Sequence, residues 1–440
     1  MSTIMGFSSM LPYTCIYIDA DFKHLCSAMW YCLHCPSDRV SLIKSLQKIW
    51  TTSSNPNPVL PLLSVRTGLD LYLTAKAFPP GSEVIMSAIN IPDMAVILKE
   101  HKLKIIPVDV SLDTTAPKTE MLESLRSEKT VALLVTHLYG KWFDMEPVIS
   151  FAEKYNLAVI EDCAEGFCGF KRLGHPKSDI ALFSFGLIKY YSSFGGAIAK
   201  IREPDIFEMM STDYQKCPVQ SHTTYFTKLL KYSIVYLCLN CPSFIGPGYL
   251  VMKGVGINHN AIKHLVVNLS RGFPGQLLVN IRKQPSTALL SLMVERQSGF
   301  SQKEIDLCRV KGEYIHARLP DSLEVVGSKC DVNNYWLFPI LVEDPDDFME
   351  TLNSLGVDAY RGATQLNLIE PSNGAAMLHP SASMNQLYPH EAKYMIDHVV
   401  YLPVNKSVPF HILDRQLHLV RMALRMRKQS LREVKLPAKL

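Results

Sequence analysis

Lys189 closes the run Phe183-Ser184-Phe185-Gly186-Leu187-Ile188-Lys189 and lies 27 positions after Asp162, the acidic residue that ends an apolar, strand-like stretch. The chain between them is punctuated by glycine and returns to a second apolar run, Ile180 to Phe185. A lysine and an aspartate on neighbouring strand ends suit the chemistry of pyridoxal phosphate. The amine can form a Schiff base with the aldehyde, and the carboxylate can keep the pyridine nitrogen protonated so that the ring draws electrons. Either residue alone is an ordinary surface group, so the assignment rests on the elements that must position the pair.

From residue 59 the pattern is regular. Thr67-Gly68 opens a helix running to Lys76, and Glu83 to Ile89 reads as a strand. Pro92 to His101 reads as a helix, Lys104 to Val110 as a strand and Lys118 to Leu125 as a helix. Val131 to Thr136 is a nearly all-apolar strand, Pro147 to Tyr155 a helix and Ala158 to Glu161 a strand. Short apolar strands alternating with helices predict an α/β fold: a mostly parallel sheet sandwiched by helices. Ligands of such sheets bind beyond the carboxyl ends of the strands. Thr67-Gly68, His137, Asp162 and Ser184 to Lys189 are all expected at that edge.

The chain of 440 residues, 48% hydrophobic and 20% charged, is long enough for two or three domains around a large core. A net charge of +4 without a dense basic block argues against nucleic acid as a partner. Met1 to Tyr13 shows no basic segment ahead of an apolar core, and 11 irregularly spaced cysteines fit reduced, cytoplasmic usage. Two Cys-x-x-Cys pairs, Cys32/Cys35 and Cys238/Cys241, could jointly offer four thiolates to zinc. Their apolar neighbours and wide separation favour buried or lipid-facing thiols, and no metal is expected.

Residues 1–58 have no assigned role and end in a polar linker, Thr51 to Pro58. Residues 59–300 form the expected large domain, with an apolar insertion at about 205–275, and 301–440 a smaller C-terminal α/β domain. In that smaller unit Glu304 to Arg318, Pro345 to Leu355 and Ile412 to Arg427 read as helices, and Tyr335 to Val342 as a strand. Within the insertion, Tyr232 to Met252 carries no charge, which just reaches membrane-spanning length. Asn240, Pro242 and Gly246-Pro247-Gly248 interrupt it. A hairpin in the membrane interface or a protein-buried insertion are therefore the readings for 232–252.

Taken together, the motifs resemble the DegT/DnrJ/EryC1/StrS family of sugar aminotransferases, enzymes of the fold type I (aspartate aminotransferase) architecture. Five segments carry the likeness in order. They are Thr67-Gly68-Leu69-Asp70; His137-Leu138-Tyr139-Gly140 with Asp144; Glu161-Asp162-Cys163-Ala164-Glu165; Ser184-Phe185 through Lys189 with Gly195-Gly196-Ala197; and Asn280-Ile281-Arg282 before Ala288. The resemblance implies pyridoxal phosphate as cofactor, with Lys189 as its Schiff-base residue and proton carrier and Asp162 on the pyridinium nitrogen. Ala164 would lie against the ring. Thr67, Gly68 and Leu69 at a helix start would hold the phosphate with Ser184, helped by Asn280 from the other subunit of a homodimer.

The chain also departs from the family. Leu69 replaces a threonine, with Thr67 as a possible substitute, and Glu165 replaces the Gln or His near the cofactor's phenolic oxygen. Ile91 replaces the aromatic residue that stacks on the ring, and the segment between Gly196 and Asn280 is longer. The implied activity is transfer of an amino group from an amino acid, glutamate above all, to a keto-sugar that is usually nucleotide-linked. A lysine at 189, where the dehydratase branch has histidine, favours transamination over C–O cleavage. Two alternatives stand: Leu69, Ile91 and Glu165 suggest a catalytically impaired member kept for binding or scaffolding, and Tyr232 to Met252 suggests a membrane-associated variant acting on a lipid-linked sugar.

Overall fold

The computed structural model describes residues 13–34, 38–240, 275–362, 364–370 and 388–435, without the side chains of 238 and 428–435. Seven strands build the main sheet: β1 (Val59–Leu62), β2 (Glu83–Ser87), β3 (Lys104–Val108), β4 (Thr130–Thr136), β5 (Ala158–Asp162), β6 (Ile180–Ser184) and β7 (Ala197–Ile201). Their order is β1-β7-β6-β5-β4-β2-β3. The pairs from β6 through to β3 are parallel, whereas β7 runs antiparallel to both β6 and β1. This is the alternating α/β architecture that the short apolar runs predict. Such strands need helices on both faces, because neither face can be left in water.

Period-two alternation decides which core each side chain joins. Leu134, Ile160 and Leu182 face the cluster under the Val65–Lys76 helix. Leu133 and Val159 face the cluster under the Glu146–Tyr155 helix. Phe183 turns to a third cluster built around Trp50. A Cβ added at Gly68 would lie 2.6 Å from Leu182 Cδ2 and 2.8 Å from Leu62 Cδ1, so this glycine lets the helix sit close on the sheet.

The N-terminal segment, unassigned from sequence, folds into two helices, Phe22–His34 and Arg39–Trp50, packed on the Thr287–Ser298 helix. Asp38 caps the second by accepting the Ser41 N–H at 3.0 Å. Trp50 is fully buried among Phe167, Phe170, Phe183 and Phe185, and its Nε1–H donates to Gln297 Oε1 at 2.7 Å. The polar stretch after it is fastened to the sheet. Lys200, buried on β7, donates to the carbonyls of Trp50, Asn55 and Asn57 at 2.9, 3.0 and 3.3 Å.

A second sheet of Glu324–Val325, Phe338–Leu341 and Val399–Leu402 is antiparallel and packs with the Pro345–Ser354 and Phe410–Lys435 helices around its own core. The strand expected from Tyr335 starts only at Phe338, since Tyr335 takes a left-handed φ of 50°. The apolar run Tyr394 to Val404 is split between the end of a helix, His390–His398, and the strand that follows. The insertion's described part holds two helices, Pro204–Gln215 and His222–Asn240, and Tyr232, Val235 and Tyr236 of the second are buried. Among the described residues no helix is long and apolar enough to cross a membrane. Residues 241–252 of the expected hairpin, and Cys35 and Cys241 of the two Cys-x-x-Cys pairs, lie outside the described residues.

Candidate active site

Thr136 pairs with Asp162 and Asp162 with Leu182, so β4 and β5 end at one level and β6 runs two residues further, to Ser184. Their carboxyl ends present Thr136, Asp162 and Ser184 to one cavity. Beyond β6 the chain folds back on itself. Phe185 donates its N–H to Gly196 O at 3.0 Å, and its own carbonyl accepts the N–H groups of Ser193 and Gly195 at 3.0 Å each. Gly196, at φ +84°, passes so close to Met293 that a Cβ would meet its sulfur at 2.4 Å. This closed loop carries Lys189 over the strand ends. A cavity there is lined by Asp162, Ala164, Glu165, Ser184 and Lys189, together with Asn90, Ile91 and Thr136 from the sheet edge.

Asp162 is 3% exposed; its Oδ1 accepts the Ala164 N–H at 3.0 Å and its Oδ2 lies 3.5 Å from Asn90 Nδ2. It makes no ion pair with a described residue. Burial pushes its carboxyl above the usual range, outweighing the Ala164 hydrogen bond. A buried carboxylate short of a cation is suited to a ligand that brings a positive charge. Lys189 Nζ lies 3.0 Å from Glu165 Oε1 and 4.3 Å from the centre of the Trp336 ring. Trp336 is anchored in turn by donating its Nε1–H to Ile188 O at 2.9 Å. Glu165 Oε2 accepts the Tyr139 N–H at 3.0 Å, an N–H aimed by the left-handed φ of 58° at Tyr139.

Three residues expected at a phosphate do not line this cavity. Ser64 caps the helix, accepting the Thr67 N–H at 3.2 Å, so the helix starts at Val65 and not at Thr67-Gly68. Thr67 then falls deeper and donates to Ile281 O at 2.8 Å. Gly68 faces Leu62 and Leu182, and Leu69 is fully buried in the core. Ser64, Val65 and Arg66 take the place at the cavity wall that the sequence reading gave to 67–69. Their first-turn position puts the positive end of the helix there.

His137 also turns away from the edge. It is fully buried between Trp142 and Phe143, with Nε2 2.9 Å from Glu161 Oε1. Alternation along β5 explains the split, since Glu161 and its neighbour Asp162 must face opposite sides. Burial opposes the charge of Glu161, but His137, the His175 N–H and Ser178 outweigh it and hold the carboxyl low. His137, Glu161 and Cys163 form the one such cluster of potential metal ligands among the described residues. Asn280 sits in the Leu277–Ile281 helix, away from this cavity. Its neighbour Arg282 clasps Asp70 at 2.8 and 2.9 Å.

Several cavity residues were not legible in the sequence. Arg66, Lys228 and Tyr232 line it, the last two from the His222–Asn240 helix, and Thr364 and Gln365 reach it from the C-terminal part. No motif flags them, because they arrive from distant segments.

A parallel-cored seven-stranded sheet with a lysine and an aspartate opening into one cavity at its carboxyl edge defines the fold type I architecture of pyridoxal-phosphate-dependent transferases. Residues 59–230 match the model of the DegT/DnrJ/EryC1/StrS aminotransferase family. GDP-perosamine synthase of Caulobacter vibrioides is 31% identical over 151 residues, 33% of this chain and 39% of that protein. UDP-4-amino-4-deoxy-L-arabinose–oxoglutarate aminotransferase of Shewanella sediminis is 30% identical over 148 residues, 33% of this chain and 38% of that one. The chain thus matches well under half the length of these relatives. Over nearly the whole chain the fold agrees with DesI crystallised with its TDP-sugar product, at TM-score 0.64 and 16% identity, covering 98% of this chain and 97% of that one. NtdA of Bacillus subtilis with bound pyridoxamine phosphate gives 0.64 at 17% identity, covering 96% and 86%.

Proposed function

We propose that this protein is a pyridoxal-phosphate-dependent aminotransferase that moves an amino group from an amino acid, glutamate, to a keto-sugar carried on a nucleotide. The observation that carries the reading is the meeting of Lys189 and Asp162 in one cavity. The matched relatives, which include a perosamine synthase and an arabinose–oxoglutarate aminotransferase, support the substrate class. When bound, pyridoxal phosphate supplies an aldehyde that condenses with amines and a ring that withdraws electrons from the carbon beside the nitrogen.

The residues fit such a group. Asp162, buried without an ion-pair partner among the described residues, offers its charge to a pyridinium nitrogen, and Ala164 leaves room for a flat ring beside it. Ser184 and the helix start at Ser64–Arg66 offer donors and positive potential to a phosphate. Lys189 is the nucleophile toward the aldehyde. When free, its Nζ would be the group that takes up the proton from the substrate carbon and holds it for return. Trp336 and the 185–196 loop keep Nζ over the strand ends through that exchange.

The protein acts in this reading as a homodimer in the cytoplasm, with Asn280 reaching the cavity of the second copy. Eight described cysteines, all free thiols, support a reducing compartment. Purified protein mixed with pyridoxal phosphate should develop an imine band near the visible range, and glutamate should bleach it. Lys189→Ala should remove the band. Its absence in the wild-type protein refutes the proposal, while a band that no amino acid bleaches points to a member kept for binding or scaffolding.

A further inference from the structure

Glu165 stands where the family resemblance leads one to expect an amide or imidazole, and the structure shows what this carboxylate touches. Both of its oxygens accept. Oε2 takes the Tyr139 N–H at 3.0 Å, and Oε1 lies 3.0 Å from Lys189 Nζ. An amide in the same position could satisfy only one of these donors, since its nitrogen would face either an N–H or an ammonium. The Glu165 side chain is 5% exposed and that of Lys189 19%, so water screens the pair poorly.

We propose that Glu165 is a positioning residue that holds Lys189 Nζ over the strand ends as its ion-pair partner and takes up the proton the ammonium must lose before the amine attacks. The inference rests on the reading of Lys189 as the nucleophile. An amine attacks only through its lone pair, so the extra proton of the ammonium must leave first. Glu165 Oε1 is the acceptor within hydrogen-bond distance, and it can return that proton to nitrogen afterwards.

The other charged and titratable groups around Nζ cannot take this part. Asp162 acts on Lys189 through space but makes no ion pair with it. Arg66 and Lys228, from two other walls of the cavity, are cations and oppose the ammonium, and the Tyr232 ring lies 5.4 Å from Lys228 Nζ. Behind Glu165, the buried Tyr139 and Tyr401 hydroxyls are pushed to higher pH by burial and stay neutral.

The test compares the wild-type protein with Glu165→Gln, first without cofactor. The rate at which a neutral acylating reagent labels Lys189 is followed by peptide mass from pH 6 to pH 11, with the exposed Lys23 as internal standard. An opposite charge at this range moves a titration by about one to three pH units. Without the partner charge, labelling of Lys189 in Glu165→Gln at neutral pH is expected to be at least ten-fold faster than in the wild type. Coinciding profiles overturn the proposal.

Should Glu165→Gln fail to fold, Glu165→Asp replaces it. Its shorter arm cannot reach both donors, so an intermediate acceleration is expected, and a wild-type profile overturns the proposal equally. In cofactor-loaded protein, the pH midpoint of the imine colour change should be lower in Glu165→Gln than in the wild type. An unchanged midpoint counts against Glu165. A shifted labelling profile without any imine band would instead refute the cofactor reading and leave the Glu165–Lys189 pairing standing.

Discussion

Replacing Trp50 by alanine tests whether the N-terminal helices are part of the framework that holds Lys189. The indole is fully buried, with ring centres 5.0 Å from Phe183 and 5.8 Å from Phe185, the two aromatics that lead into the Lys189 loop. Emptying such a site costs about 3–5 kcal/mol. The substitution also leaves Gln297 Oε1 without the donor that Trp50 supplies at 2.7 Å, for about 1 kcal/mol more. Unfolding entropy of about 2.1 cal/mol/K per residue amounts to about 0.9 kcal/mol/K if all 440 residues melt together. The sum of about 4–6 kcal/mol then lowers Tm by about 4–7 °C, and by more if a smaller unit melts alone.

Trp50→Phe keeps most of the packing and loses the N–H, so its expected cost is about 1–3 kcal/mol. Differential scanning calorimetry on both variants, with cofactor capture measured at a temperature where both are folded, is the assay. A shift under about 1 °C for Trp50→Ala refutes the reasoning. It would mean that residues 1–58 are an appendage and that Phe183 and Phe185 are held from elsewhere.

Two further predictions concern the site itself. Asp162→Asn should stabilise the cofactor-free protein at neutral pH and weaken cofactor binding by ten-fold or more. The sign follows from burial, which raises this carboxyl in the folded state above its unfolded value near 3.9, so the folded protein holds the proton more tightly. Wild-type stability from this group is therefore lost as pH rises through that window. The advantage of Asn over Asp should shrink as pH falls back towards 4, and melting curves from pH 4 to pH 8 that show a constant gap would refute it. Gly68→Ala should cost about 1–3 kcal/mol by pressing on Leu62 and Leu182, whose side-chain ends must shift. Retained cofactor affinity would fit its place behind the cavity wall, and a selective loss of affinity without destabilisation would put the phosphate at Gly68 after all.

Much of the framework was legible because it depends on local pattern. The strands at Glu83, Lys104, Val131, Ala158 and Ile180 are short apolar runs between helices, and their ends agree with the structure to within a few residues. Thr67-Gly68 has the look of a helix opening, yet the helix starts two residues earlier, at Val65. The capping hydrogen bond actually made belongs to Ser64. The N-terminal helices carry little signal of their own, and their apolar faces make sense only against the Thr287–Ser298 helix, more than 200 residues on.

Asp162 and Lys189 declare themselves through residue type and spacing, since each closes or follows an apolar strand and both strands belong to one parallel sheet. Chain order and alternation suffice for that. Which groups surround them is another matter: Arg66, Lys228, Trp336 and Gln365 come from four separate stretches, and no one-dimensional pattern relates segments that touch only after folding. The pairing of Glu165 with Lys189 belongs to this second kind. It needs the left-handed turn at Tyr139, the closed loop at 185–196 and the Trp336 ring to converge on one point, and only the packed chain brings them there.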